Sequence, residues 1–135
     1  MRRAASILAL TAVAAAVTAS GGGAAGRGFA FGRIGGNIRP YTVTIASGGA
    51  VRVSGPVTVG RRQLDATQLA ALTRAAAEAR FAALPGSTQC AGTLPDVAST
   101  FVRVGARTVR AHGSCLPRYN RLWRALGRAV RLSGG

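Results

Sequence analysis

The sequence contains no lysine, three acidic residues and one histidine in 135 positions. These shortages remove most routes to catalysis. Glycoside hydrolysis needs two carboxylates facing each other across a cleft, and the chain offers only Asp65, Glu78 and Asp96. Asp65 is placed to cap a helix, and Glu78 falls opposite that helix's apolar arc, near Arg74. Only Asp96, after Leu94-Pro95, is free in a loop, where a turn or cap role is the ordinary one. His112 ends a predicted strand, and a surface or packed imidazole is the commoner fate there than a catalytic base. A G-x-S-x-G elbow, a phosphate loop and a dinucleotide fingerprint are all missing from the sequence. The chain therefore reads as non-enzymatic and without a cofactor.

Aromatic residues make up only 5% of the chain, so a core must rest on Val, Leu, Ile and a few rings. What the chain has in excess is arginine. All 18 basic residues are arginine, and the formal charge is +15. Such a charge suits an anionic partner, whether nucleic acid, a lipid surface or an envelope polymer. A GC-rich genome would also favour arginine and alanine codons, but that bias does not account for the shortage of Asp and Glu.

No apolar run reaches the ~20 residues of a membrane span. Residues 1–19 instead read as a secretory signal peptide. Arg2 and Arg3 form its basic start, Ala4 to Val17 its uncharged stretch, and Val17-Thr18-Ala19 its small-residue cleavage site. Cleavage is expected after Ala19, with Ala25 as a second choice, leaving no stable membrane span. Losing Arg2 and Arg3 lowers the charge from +15 to +13. Export argues against nucleic acid and towards an anionic envelope component or an acidic protein. Residues 20–39, rich in glycine, read as a flexible linker despite Phe29, Phe31 and Ile34. Arg27-Gly28-Phe29 and Gly32-Arg33 within it have a faint arginine–glycine character.

Residues 40–132 read as one α+β domain. Tyr41, Val43 and Ile45 alternate with polar or small residues, Ser47-Gly48-Gly49 supplies a turn, and Val51 and Val53 resume the alternation. Val57 to Val59 would extend the edge of this hairpin. Asp65 and Gln68 form a capping box ahead of a helix whose apolar arc is Leu69, Leu72, Ala76, Ala79 and Ala83, with Pro85-Gly86 as its stop. Thr100–Val104 and Thr108–His112 form a second hairpin around Gly105-Ala106. Pro117 then opens a second helix. Tyr119, Leu122, Trp123, Leu126 and Val130 share one arc of it, and Arg118, Arg121, Arg124, Arg128 and Arg131 occupy most of the other side. The expected architecture is ββαββα, two hairpins pairing into one antiparallel sheet covered by two helices.

Cys90 and Cys115 are the only cysteines. In an exported chain two cysteines most often form a disulfide, here closing a loop of ~25 residues for about 3 kcal/mol. A metal site using His112, Cys115 and Cys90 or Asp96 lacks the paired spacing of structural zinc. A cysteine nucleophile served by His112 would need a free thiol.

The segment from Tyr41 to Val130 resembles an uncharacterised domain found in exported bacterial proteins. The resemblance lies in Tyr41-x-Val43-x-Ile45 before a glycine turn, Gly55, and a capped helix ending in Phe81-x-x-Leu84. It continues through Leu94-Pro95-Asp96 and the second hairpin. It implies a fold outline and no activity. The function expected is binding of an anionic envelope component or a protein through the arginine face of the last helix. The alternative is a small secreted enzyme or protease inhibitor using the Cys90–Asp96 loop.

Overall fold

The computed structural model describes residues 27–134. The expected signal peptide and its cleavage sites lie outside the described residues. Within them the chain is α+β, with a mostly antiparallel sheet and two helices. Eight strands are formed: β1 (Phe29–Ile34), β2 (Tyr41–Ile45), β3 (Val51–Ser54), β4 (Thr58–Val59), β5 (Ser87–Gln89), β6 (Ser99–Val104), β7 (Arg107–His112) and β8 (Leu132–Ser133). The helices are α1 (Ala66–Glu78) and α2 (Pro117–Val130).

The main correction to the sequence reading concerns residues 20–39. Their described part is not a linker, because Phe29–Ile34 form β1 at the centre of the sheet. Both expected hairpins are present, as β2–β3 and β6–β7, but they do not pair with each other. β1 lies between them, with Phe31 opposite Val43 on one side and Val102 on the other. The sheet order is β3-β2-β1-β6-β7-β5, and β5 joins its edge in parallel with β7. Phe29 and Phe31 are 2% and 0% exposed, so the apolar surface that seemed too sparse to order this segment is wholly buried. Gly32 is part of that packing. A Cβ there would overlap the Tyr41 carbonyl oxygen and press on the Phe101 ring.

Alternation along the strands sends Phe29, Phe31, Tyr41, Val43, Ile45, Val102 and Val109 into the core with Leu72, Tyr119, Leu122, Leu126 and Val130 of the helices. Burial of this apolar surface is what holds the helices on the sheet. The strand residues between them, among them Thr44, Arg52, Arg103, Thr108 and Arg110, belong to the opposite face.

α1 begins as the capping box requires. The Gln68 amide donates to Asp65 Oδ1 at 2.8 Å, and the Asp65 amide donates to Gln68 Oε1 at 2.9 Å. It ends sooner than Pro85, however. Arg80 turns left-handed at φ 48°, and Phe81–Ala83 form a separate 3₁₀ turn. That turn buries Phe81 and leaves Ala83 exposed, so Ala83 is not part of the helix's apolar arc. The Val57–Val59 stretch also differs from expectation. β4 does not extend the first hairpin but pairs with β8, beyond α2, in a two-stranded ribbon. The folded unit therefore reaches past the expected 40–132 at both ends.

Candidate functional site

α2 carries Tyr119, Leu122, Leu126 and Val130 into the core and leaves Arg118, Arg121, Arg124 and Arg128 exposed; Arg131, in a left-handed conformation just after it, is exposed too. The surroundings divide these arginines into two groups. Arg118 and Arg121, with Arg128, border a small pocket against α1 that also includes Glu78. Arg124, Arg128 and Arg131 turn to the other side of α2, where they meet Arg33 of β1.

That second place is an open pocket of about 590 Å³, walled by α2, the start of β2, β1 and the Leu132–Gly134 segment. Four arginines line it, and none of the described residues lining it carries a carboxylate. At its inner side Trp123 is held edge-on by Phe31, with ring centroids 6.1 Å apart and planes at 88°. The Arg33 guanidinium lies over the same indole, its carbon 5.2 Å from the ring centroid. This is a cation–π arrangement that fixes both groups.

Three buried side-chain atoms lack a hydrogen-bond partner among the described residues: Arg33 Nε, the Tyr41 hydroxyl oxygen and Trp123 Nε1. All three belong to residues that line this pocket. An indole N–H and a guanidinium N–H can only donate. Burial pushes the Tyr41 phenol above its ordinary value, with Arg33 opposing the shift. Its hydroxyl therefore keeps its proton at neutral pH and is available to donate. The charged side chains of the described lining are all arginine, and its three unpartnered atoms are all able to donate.

No family model matches the chain, and neither a curated protein nor a solved structure matches it.

The other singled-out residues lie far along the sheet, around β5 and β7. The expected Cys90–Cys115 bridge is present, with Cα atoms 5.6 Å apart. It joins the end of β5 to the approach to α2, and neither sulfur is free to ligate a metal or attack a substrate. His112 Nε2 lies 2.8 Å from the Val97 carbonyl and therefore carries the proton of that hydrogen bond. His112 Nδ1 lies 2.9 Å from the Gln89 side-chain amide. With the ring proton on Nε2, it accepts from that amide turned with its NH2 towards the ring, so both ring nitrogens are engaged. The histidine thus ties β5, β7 and the Leu94–Val97 turn together. Asp96 is exposed, and its backbone carbonyl accepts from the Asn37 amide at 3.1 Å. The structure does not bring Asp96, His112 and the arginines of α2 into one site.

Sequence reasoning found Arg124, Arg128 and Arg131 but missed Arg33, Tyr41 and Trp123 as their companions. Trp123 was read as a core residue because it shares the apolar arc of α2, and Arg33 was assigned to a linker. A signal was present in β1, where Phe29, Phe31 and Arg33 alternate. That pattern places Arg33 on the core side of a strand, where a cation requires a reason.

Proposed function

We propose that this chain is an exported, non-enzymatic module that binds an anionic component of the cell envelope through α2. The observation that carries this reading is the convergence of Arg33 with Arg124, Arg128 and Arg131 around a pocket with no carboxylate among its described lining residues. Guanidinium groups suit phosphate and carboxylate because their planar forks donate two parallel hydrogen bonds. A solvated arginine face would be expected to spread into water; here one flank of it is gathered beside buried donors. The disulfide fits an oxidising compartment, and no helix among the described residues is long and apolar enough to cross a membrane. The joined cysteines and the doubly engaged His112 weigh against an enzyme using those side chains.

The test is binding to phosphatidylglycerol vesicles and to poly(glycerol phosphate), measured between 50 and 300 mM salt. Both should be bound, with affinity falling steeply as salt screens the contact, and replacing Arg124, Arg128 and Arg131 by Gln should weaken binding at least ~10-fold. Binding unaffected by salt and by these substitutions would exclude the α2 face and direct attention to the disulfide-braced loop. Leu94 stands 64% exposed there, as a protease-inhibitor contact would require.

A further inference from the structure

We infer that the Arg33–Tyr41–Trp123 pocket is a discrete site for the terminal group of a phosphate monoester, bound as its proton-free dianion. This rests on the reading of α2 as an anion-binding face and narrows it to one chemical group.

A buried donor without an acceptor costs stability, so proteins keep few of them. Here the three unpartnered atoms found among the described residues all come from the lining of a single pocket. Tyr41 is 3% exposed, and no described residue uses its hydroxyl. The donors are also held in place before any ligand arrives, because Phe31 fixes Trp123 and Trp123 supports the Arg33 guanidinium. Among the described residues the lining holds no carboxylate, and a ligand with acceptor oxygens would complete it.

The donor set also discriminates among anions. A carboxylate offers two oxygens, whereas a phosphate monoester offers three strong acceptor oxygens and about −1.5 to −2 charge at pH 7. Inorganic phosphate keeps an O–H at neutral pH, and no carboxylate among the described lining residues receives that proton. The ester dianion carries no proton and brings only acceptors to a lining that holds three unpartnered donors and four arginines. Arg124, Arg128 and Arg131 are exposed residues of the same lining, where they would neutralise the bound group.

Trp123 is the only tryptophan in the chain, so its fluorescence reports directly on this pocket. The folded protein is titrated with glycerol 3-phosphate, inorganic phosphate, sulfate and acetate. Glycerol 3-phosphate should give a saturable change at a concentration at least ~10-fold below acetate, and binding should weaken below about pH 6, where the ester gains a proton. Vesicles containing phosphatidic acid, compared with the soluble ester, separate a lipid headgroup from a free or polymer-borne phosphate. Tyr41→Phe keeps the net charge and removes one unpartnered donor. It should weaken the ester at least fivefold while leaving the thermal unfolding midpoint of the free protein equal or higher.

Unchanged ester affinity in Tyr41→Phe, or equal responses to ester and acetate, would overturn the pocket while leaving the general α2 contact intact. A sulfate response equal to that of the ester would overturn the assignment to phosphate. Conversely, a Trp123 response that survives when vesicle binding ignores the α2 substitutions would retain the pocket and remove the broader envelope-binding reading.

Discussion

The two tyrosines show how one side chain serves different ends. Tyr119 is wholly buried, and its hydroxyl is 2.9 Å from Thr100 Oγ1, so the phenol is packed and satisfied. Tyr41 is equally sealed from solvent but unsatisfied. Burial pushes the Tyr119 phenol up to about 12, against the Thr100 hydrogen bond that favours ionisation. An unfolded chain would ionise it near ~10. The folded state therefore holds the proton more tightly, and its contribution is fully present below pH ~10 and lost as pH rises towards ~12. Tyr41 shifts in the same direction and adds to the loss. Urea denaturation between pH 9 and 11.5 should show stability falling by about 2 kcal/mol, and Tyr119→Phe should flatten much of that fall. At pH 7 the same substitution should cost about 1 kcal/mol for the lost hydrogen bond.

Among the elements, those announced by local patterns were legible in the sequence. Alternation of Tyr41, Val43 and Ile45 predicted the first hairpin, the β-like runs around Gly105-Ala106 the second, the Asp65–Gln68 box the start of α1, and the two-sided distribution on α2 its buried arc. β1 was not legible, because its glycines suggest a high cost of ordering and say nothing of what neighbouring strands supply in return. Pairing on both sides satisfies its backbone, and Gly32 is required by close approach. The same blind spot hid the pocket. A helical projection shows the arginines of α2 but cannot show that a strand from the presumed linker delivers Arg33 onto Trp123. Glycines in the chain should accordingly behave in opposite ways. Gly32→Ala should destabilise by about 2 kcal/mol or more, since backbone rather than a flexible side chain must move. Gly48→Ala meets nothing within 4 Å and should stay within about 0.5 kcal/mol, both read from denaturation midpoints.

Across the whole molecule, the fold has a cooperative centre and a tethered margin. β1 joins the two hairpins, so the sheet cannot separate into halves without exposing Phe29, Phe31 and the residues packed on them. At the far edge, β5 is held by three register pairs with β7, by the His112 hydrogen bonds and by the disulfide. Hydrogen exchange should resolve these two regimes. Amides of residues 29–34 that bond to neighbouring strands should exchange only through global unfolding, whereas a flexible linker would exchange within seconds. In the Cys90→Ser/Cys115→Ser protein, global stability should fall by about 3 kcal/mol. Exchange across residues 87–97 should accelerate beyond that common loss, because β5 loses its anchor and retains only one neighbouring strand. Residues 29–34 should slow or quicken only with the global term. Rapid exchange of β1 in the intact protein would contradict its central position, and equal acceleration of both regions would mean that the bridge stabilises the domain as a unit rather than its edge.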